Sequence, residues 1–449
     1  MTMLPLRPHQ IVSKQFLKAR QYACLNDAQR VGKTWPAIDA AVELGIKKMC
    51  IVTPLSAMHV WERDMRVRAP HLRIKILDPD ADVCILPWSR LSRQDAYVAR
   101  CLKKTWELLI LDESHYAKAF SSKRTVRAFG LMMPNGQVDK RFGLAGSAMR
   151  VWCLPGPPLP HDPSDIFPTL ATLFPNVLVK HGPYPDVRTQ EAFIKRYTTS
   201  HLMPVGRFKR QYRRVIDGGA NGAELRARIQ HTFLRRRETD VNLTVPDRNH
   251  LLLDAKAADL RDINAGLDLD KIRALANAGK LAMAEEMLAT KRRLIGIVKA
   301  PLIAAAMVDY FESSEPYEKL VIGFWHTEAG RILRNAAATY DGAFIDGSVS
   351  QPRRVLELDR FRTDSKCRVL IGQIETIAEG IDLSVSRELW IGELTFSPRQ
   401  MSQITSRIAN INAPGARLVR TVSLADSVDE IIATALHRLV AGINAVMEA

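Results

Sequence analysis

Residues 26–34 read N-D-A-Q-R-V-G-K-T, so that Gly32, Lys33 and Thr34 follow one another. The apolar residues 22–25 precede this stretch, and the helix-favouring residues 37–44 follow it. A strand, a turn of backbone N–H groups and a helix N-terminus together form a cradle for phosphate. In such a loop Lys33 reaches the β- and γ-phosphates and Thr34 binds the metal ion. A surface turn that opens an amphipathic helix is the alternative, because the pattern's first glycine is replaced by Asp27.

A pair of carboxylates follows the apolar residues 106–111, namely Asp112 and Glu113. At the carboxyl end of a parallel strand, such residues face the crevice where ligands bind. There Asp112 can organise magnesium bound to a triphosphate, and Glu113 can position the attacking water. The alternative is a helix N-terminus, where acidic residues are favoured by the helix dipole. The order of the two stretches along the chain favours the nucleotide site.

The net charge of +16 predicts a polyanionic partner, and we expect nucleic acid. The 47% hydrophobic and 25% charged residues are typical of a soluble globular protein. We find no run of about 18 apolar residues and no signal peptide, and we expect no membrane partner. The six scattered cysteines favour a reducing compartment without disulfides. The histidine spacings indicate no catalytic metal other than magnesium.

Short apolar runs alternate with helical patterns in both halves of the chain, which predicts an α/β fold with parallel sheets covered on both faces. In the first half we expect a helix within residues 1–20, a helix at 56–67, an irregular segment at 151–185 and a helix at 223–237. Residues 255–312 are expected to be helical throughout. The predicted strands are residues 48–53, 82–86, 106–111, 141–145, 319–324, 343–345, 369–371, 388–391 and 418–422.

Eleven segments resemble those of a known family, and they follow one another in the family's order. G-K-T at 32–34 and D-E-S-H at 112–115 resemble motifs I and II of superfamily-two helicases and translocases. F-L-R-R-R-E-T-D-V at 233–241 resembles a segment that is distinctive of the Swi/Snf family. Two further segments resemble motif III, G-S-A at 146–148, and motif VI, F-S-P at 396–398 with Gln403 and Arg407. The other matching segments are L-R-P-H-Q at 6–10, T-P at 53–54 followed by Trp61, F-W-H at 324–326, I-D-G-S at 345–348, T-I-A-E-G-I-D-L-S at 376–384 and S-V-D-E at 427–430. The compact layout resembles the annealing-helicase and fork-remodelling branch and its small bacterial or phage relatives.

The resemblance implies two RecA-like parallel-sheet lobes with a helical and basic insertion between them. We expect the core of the first lobe at residues 1–150 and an irregular, basic extension at 151–240. A helical inter-lobe region is expected at 241–315 and the second lobe at 316–449.

The resemblance also implies ATP and Mg²⁺ as cofactors. The implied catalytic residues are Lys33, Asp112, Glu113 and Arg407. The implied ATP- and magnesium-binding residues are Arg7, Gln10, Gly32, Lys33, Thr34, Asp112, Gly380, Asp382 and Gln403, with Thr34 and Asp112 on the metal. Thr53, Pro54, Arg90, Gly146 and Ser147 are expected along the DNA backbone, and His115 is expected to link the nucleotide site to motif III.

One position departs from the family pattern. Motif VI carries two arginines three residues apart, and here Arg407 is followed by Asn410. Asparagine supplies no charge to the transferring phosphate, whereas an arginine finger is worth about 10³–10⁵ in rate. Either Arg407 or a nearby arginine, Arg399 or Arg417, takes over this role, or turnover is slow.

The predicted function is an ATP-dependent translocase on double-stranded DNA that remodels forked or branched DNA or protein–DNA complexes. We expect a monomer in a bacterial or phage-infected cytoplasm, associated with the nucleoid. One alternative is a strand-separating helicase acting on DNA or RNA. The other is a weakly hydrolysing DNA-binding scaffold that has retained the fold, which Asn410 supports.

Overall fold

The computed structural model describes residues 4–28, 30–93, 95–155, 163–205, 211–241, 243–278, 281–378, 381–396, 398–409 and 415–448. The chain divides into two compact units, Met1–Val241 (unit 1) and Asn242–Ala449 (unit 2). Each unit is built on its own parallel sheet.

Unit 1 contains a seven-stranded sheet and two antiparallel hairpins. Its strands are β1 Tyr22–Leu25, β2 Met49–Thr53, β3 Ile74–Ile76, β4 Val83–Pro87, β5 Trp106–Asp112, β6 Leu131–Met132, β7 Val138–Asp139, β8 Ala148–Leu154, β9 Thr198–Val205, β10 Gln211–Gly219 and β11 Phe233–Leu234. Its helices are α1 Pro8–Lys18, α2 Thr34–Glu43, α3 Met58–Arg68, α4 Trp88–Leu91, α5 Ala96–Leu102, α6 Lys123–Phe129, α7 Phe167–Leu173, α8 Gln190–Tyr197 and α9 Gly222–Ile229.

The main sheet of unit 1 has the order β11-β1-β8-β5-β2-β4-β3, and all its pairs are parallel. Alternate residues of β5 enter two separate apolar clusters, with Leu109 and Leu111 in one and Leu108 and Ile110 in the other. Because side chains of a strand alternate between the faces of a sheet, both faces are covered. This arrangement leaves the strand ends as the places where polar loops meet.

Unit 2 repeats this design with six parallel strands in the order β12-β17-β16-β13-β15-β14. They are β12 Asp247–Leu253, β13 Leu320–Phe324, β14 Ala343–Ile345, β15 Val369–Gln373, β16 Glu388–Ile391 and β17 Leu418–Leu424. The helices are α10 Ala257–Asn264, α11 Leu269–Asn277, α12 Leu281–Leu288, α13 Arg292–Ser313, α14 Thr327–Ala337, α15 Gln351–Thr363, α16 Ile374–Ile377, α17 Pro398–Thr405 and α18 Val428–Glu448.

Helix α13 is long and apolar enough by composition to cross a membrane. In unit 2 it buries Ile303, Met307 and Phe311 against the sheet, as the core helix of a globular unit does. It also carries Lys299, which is fully buried and forms an ion pair with Asp429 of α18.

The predicted α/β class with two parallel-sheet units is confirmed, and three element predictions are wrong. Residues 140–142 and 144–146 form two single 3-10 turns where a strand was predicted at 141–145. The chain folds back on itself here so tightly that a Cβ on Gly146 would lie 2.1 Å from the Lys140 carbonyl oxygen. The strand of this region is β8, which lies partly in the segment predicted to be irregular. The helix predicted at 223–237 ends at Ile229, and β11 follows it because residues 233–234 pair with β1.

Further elements were not predicted, among them helix α7 in the segment predicted to be irregular and strands β9, β10 and β12. Strand β12 forms the edge of the unit 2 sheet by pairing along its whole length with β17. Strands β9 and β10 form a hairpin in the segment expected to be irregular and basic. All six cysteines are free and buried. The four-part division of the chain predicted from the sequence stays a prediction.

Candidate nucleotide site

The predicted phosphate loop leaves the carboxyl end of β1 and enters α2 at Thr34. Gly32 has a φ of +83°, and a Cβ there would lie 2.6 Å from Gln10 Nε2. Both the backbone conformation and the close approach of Gln10 therefore require glycine. Arg30 has a φ of +63°, the left-handed conformation that glycine adopts with least strain.

Helix α1 lies directly against this loop. Gln10 Nε2 donates to the Gly32 carbonyl oxygen at 3.0 Å, and Gln10 Oε1 accepts from the Arg7 backbone N–H at 3.0 Å. His9 Nε2 lies 3.0 Å from the Val31 carbonyl oxygen. The structure thus brings the predicted residues Arg7 and Gln10 together with Gly32.

Lys33 is the loop's cation. Its Nζ donates to the carbonyl oxygen of Asp27 at 2.8 Å, at the start of the same loop. Thr34 is the first residue of α2, where helix N–H groups lack partners within the helix. Lys33 and Thr34 therefore stand where a phosphate cradle places them.

Asp112 ends β5, and two donors reach the same oxygen of its carboxylate. Thr53 Oγ1 and Trp61 Nε1 each donate to Asp112 Oδ2 at 2.8 Å, and Trp88 Nε1 donates to the Asp112 carbonyl oxygen at 2.7 Å. Removal from water, followed by the charge of Glu113, raises the pKa of Asp112 to about 6. The two side-chain hydrogen bonds and the positive charge of Lys33 oppose this rise.

Glu113 has a left-handed backbone, with a φ of +50°. Its Oε2 is buried and makes no hydrogen bond to the residues that the structure describes, although His115 Nδ1 lies 3.1 Å away. His115 is 8% exposed, and its ring packs against Tyr116. One oxygen of the carboxylate can therefore accept a hydrogen bond from a water molecule, and the role of Glu113 as the base stays a prediction.

These residues fit magnesium. Two adjacent acids, one with a raised pKa and one with an orphaned oxygen, are stabilised by a divalent cation. Within the described part of the chain no three His, Cys, Asp or Glu residues could hold a metal ion together. Magnesium does not require such a group, because in nucleotide sites it uses one or two carboxylates, phosphate oxygens and water.

In unit 2, Arg407 lies in a turn of 3-10 helix that follows α17. It is 8% exposed, and its Nε donates to the Ala378 carbonyl oxygen at 2.7 Å. Gln403 is buried near the end of α17. Both predicted residues of this segment are therefore buried within unit 2.

The remaining predicted residues of unit 2 differ in their surroundings. The Asp382 carboxylate accepts from the Ser384 backbone N–H at 3.1 Å, and its carbonyl oxygen accepts from Arg362. Arg417 is buried and donates to the carbonyl oxygens of Ser384 and Ser386 at 2.8 and 2.7 Å. The role of Arg417 as a replacement finger stays a prediction. Gly380, Asn410 and the side chain of Arg399 lie outside the described residues.

Among the predicted DNA contacts, Thr53 is fully buried and serves Asp112, and Pro54 is buried beside it. Arg90 forms an ion pair with Asp95 at 2.6 Å. DNA contacts from the backbone of these residues stay predictions.

The placement of motif III at Gly146 and Ser147 is wrong. These residues precede β8, and the Ser147 carbonyl oxygen accepts from the N–H of Trp106, the first residue of β5. Asp112 is the last residue of β5, which at about 3.3 Å per residue puts it about 20 Å away. The coupling expected of this segment therefore cannot run from Gly146 to His115.

The segment that does reach the acid pair is the carboxyl end of β8. The Leu154 carbonyl oxygen accepts from the Glu113 N–H at 2.7 Å. The run V-W-C-L at 151–154 could have identified this strand, since it is as apolar as the β5 run. Asp27 and Arg236 were also missed as site residues, and only their contacts reveal them.

Unit 2 also has a basic cavity of about 830 Å³ beside the edge strand β14. Its lining includes Arg331 and Arg334 of α14 and Arg353 of α15. The Arg334 guanidinium lies 4.9 Å from the centroid of the Phe344 ring. The lining also contains Asp346 and Glu357, and Glu357 forms ion pairs with Arg353 and Arg360, at 2.8 Å each. Four arginines against two carboxylates leave the lining with a positive charge that can bind a phosphate group.

Comparison with known proteins gives one family match, to the helicase conserved C-terminal domain over residues 304–412. The DNA annealing helicase and endonuclease ZRANB3 of Mus musculus is 23% identical over 432 residues, covering 91% of this chain and 37% of the relative. ZRANB3 of Homo sapiens is 23% identical over 417 residues, covering 88% and 36%. The ATP-dependent helicase fft1 of Schizosaccharomyces pombe is 21% identical over 484 residues, covering 90% and 49%.

This chain therefore spans less than half the length of these relatives. Among solved structures, the SWI2/SNF2 ATPase core of Sulfolobus solfataricus in complex with dsDNA is similar to this chain. The match covers 95% of this chain and 89% of the Sulfolobus chain. That match has 18% identity and a TM-score of 0.43.

Proposed function

We propose, from the premise that this chain is a Swi/Snf-like member of the superfamily-two helicase-like ATPases, that it hydrolyses ATP to move along double-stranded DNA. The observation that carries the proposal is the arrangement in unit 1. A phosphate loop with Lys33 follows β1, and an acid pair, Asp112 and Glu113, follows β5. Lys33 is close enough for its charge to act on the pKa of Asp112.

Each residue then has one task. Lys33 exchanges the Asp27 carbonyl for phosphate oxygens of ATP, and Gln10 holds the adenine. Thr34 and Asp112 would hold magnesium, which when bound neutralises charge on the phosphate oxygens. Glu113 takes the proton of the attacking water, and His115 lies against it at 3.1 Å.

Arg407 of unit 2 supplies the positive charge that the terminal phosphate needs in the transition state. Asparagine at position 410 leaves one charge where the family pattern has two. Turnover is therefore slow relative to enzymes with both arginines, since such a charge acts mainly on the transition state.

The DNA substrate is proposed to be double-stranded, with forks or junctions as its preferred form. The net charge of +16 favours phosphate binding without sequence readout. The arginine-lined cavity beside β14 offers one place for a phosphate backbone. The name of the ZRANB3 relatives, DNA annealing helicase and endonuclease, supports DNA as the substrate.

Asn410 favours one competing function, a DNA-binding scaffold that hydrolyses ATP weakly. A scaffold needs the duplex contacts but not the chemistry of Glu113. The two functions therefore differ in whether DNA changes the rate of hydrolysis.

The test is an ATPase assay with blunt duplex, fork, four-way junction, single-stranded DNA and RNA. We expect duplex DNA to stimulate the wild type and Lys33→Ala to remove at least about 99% of that rate, because oriented charges at the phosphate are worth 10²-fold or more. Lys75→Ala is the matched control, since Lys75 is exposed on β3.

Equal background rates in the wild type and Lys33→Ala would establish the scaffold. Stimulation by single strands or RNA, with none by duplex, would instead establish a strand-separating helicase.

A further inference from the structure

We propose that Arg236 is a positioning residue that clamps the phosphate loop through Asp27; the inference rests on the proposed nucleotide site. Asp27 and Arg236 are 209 positions apart in the chain. Asp27 stands where the phosphate-loop pattern has a glycine, and Arg236 belongs to the Swi/Snf-like segment that ends unit 1.

The two side chains form a two-pronged ion pair. Arg236 Nε donates to Asp27 Oδ1 at 3.1 Å, and Arg236 Nη2 donates to Asp27 Oδ2 at 2.7 Å. Asp27 is 1% exposed, and the side chain of Arg236 is 13% exposed. A carboxylate so far from water needs a partner of opposite charge, and a guanidinium that meets it with two donors fixes its orientation.

The same guanidinium also reaches α1. It donates to the His9 carbonyl oxygen and to Ser13 Oγ. Because Gln10 of α1 donates to the Gly32 carbonyl oxygen, α1 and the loop are fastened at two places. Arg236 holds the beginning of the loop, and Gln10 holds its end.

Backbone pairing extends the clamp along the loop. The N–H of Asn26 donates to the Leu234 carbonyl oxygen at 2.8 Å, and the N–H of Ala28 donates to the Arg236 carbonyl oxygen at 2.9 Å. The carbonyl oxygen of Asp27 in turn accepts from Lys33 at 2.8 Å. Arg236 and its neighbours in β11 therefore fix the position of residues 26–28, and Lys33 donates to the Asp27 carbonyl oxygen within that segment.

The first test is independent of catalysis and uses amide hydrogen exchange of residues 22–34 in the full chain without nucleotide. Arg236→Gln is expected to speed exchange of these amides at least about tenfold, since local opening governs their protection. Arg237→Gln is the matched control, because it removes the neighbouring arginine and an exposed ion pair with Asp240. Equal exchange in the two variants would overturn the clamp.

The second test measures binding of an ATP analogue and the KM for ATP. Supporting partners of a binding site typically change affinity by about 10- to 100-fold, and we expect this rise in Kd and KM for Arg236→Gln. Duplex-DNA affinity is expected to stay within about twofold of the wild type, as for independent sites. An unchanged Kd in the folded variant would overturn the proposal.

The double variant Asp27→Asn/Arg236→Gln separates loss of the clamp from misfolding, because it removes both charges and leaves no unpaired buried charge. It is expected to melt near the wild-type temperature and still to show fast loop exchange and weak nucleotide binding. Wild-type binding in this variant would overturn the proposal. If the wild type binds ATP without hydrolysing it, only the proposed function is contradicted. The clamp is still tested by the amide hydrogen exchange of residues 22–34.

Discussion

Asp112 shows how a few neighbours set the chemistry of one residue. Burial and the charge of Glu113 raise its pKa to about 6, against the hydrogen bonds from Thr53 and Trp61. A carboxylate must be ionised to bind magnesium. Affinity for magnesium nucleotide should therefore be full above pH 7 and fall as the pH drops through about 6.

Thr53→Val tests the contribution of the Thr53 hydroxyl to the pKa of Asp112, because valine has nearly the same shape as threonine but no hydroxyl. Losing one donor to a charged group costs about 1.5 kcal/mol or more, which is about one pKa unit. We expect the pH midpoint of magnesium-dependent nucleotide binding to rise by about one unit, because the charged form of Asp112 loses a partner. The measurement is nucleotide-analogue binding between pH 5 and 8.

Thr53→Ser retains the hydroxyl and serves as the control, with a midpoint like that of the wild type. A loss of DNA affinity in Thr53→Val with an unmoved midpoint would contradict this assignment. Thr53 would then act on DNA rather than on Asp112.

At the scale of elements, two of the buried ion pairs among the described residues join segments that are far apart in the sequence. Arg236–Asp27 joins the end of unit 1 to the phosphate loop. Lys299–Asp429 joins α13 to α18 in unit 2, with Nζ and Oδ2 2.9 Å apart. Lys299 also donates to the Val422 carbonyl oxygen, and Asp429 accepts from the Leu424 N–H.

Lys299→Met should destabilise unit 2 strongly. Breaking a buried pair by removing one partner costs about 3–5 kcal/mol, because the other charge stays buried. Lys299 is fully buried and Asp429 is 4% exposed. Chemical denaturation monitored by circular dichroism provides the measurement.

Two further variants control for this result. Arg293→Met on the same helix removes an exposed pair with Glu328 and should leave the midpoint unchanged. Lys299→Met/Asp429→Asn should recover part of the loss, because no unpaired charge remains. A midpoint for Lys299→Met equal to that of Arg293→Met would refute the structural role.

At the scale of the molecule, the residues predicted to act on ATP are divided between two units. The phosphate loop, the acid pair and the Arg236 clamp belong to unit 1, whereas Arg407 belongs to unit 2. Binding and hydrolysis are therefore expected to separate when the chain is divided.

A fragment of residues 1–241 should bind an ATP analogue in a Lys33-dependent manner, yet hydrolyse ATP at least about 10³-fold more slowly than the full chain, as loss of an arginine finger predicts. A fragment of residues 1–230 lacks β11 and Arg236 and should bind the analogue more weakly. Calorimetric titration and a single-turnover assay measure the two quantities. Full activity in the first fragment would show that unit 2 takes no part in the chemistry.

The amino-acid sequence by itself determined the α/β class and eight of the nine predicted strands, and it predicts the phosphate loop and the acid pair. These features are local, because each is recognised from a few consecutive residues: an apolar run of strand length, G-K-T, or D-E. The order of segments was enough to indicate the Swi/Snf-like relationship.

Only the tertiary structure decided the rest. Residues 233–234 form a strand because they pair with the edge of β1. Strand β12 likewise forms because it pairs with the edge of β17. Gly146 lies at the wrong end of β8 for motif III, and a polar Thr53 lies buried under Asp112. Asp27 found Arg236 across 209 positions of chain. Each of these outcomes depends on which partner a residue meets after folding, and sequence spacing does not contain that information.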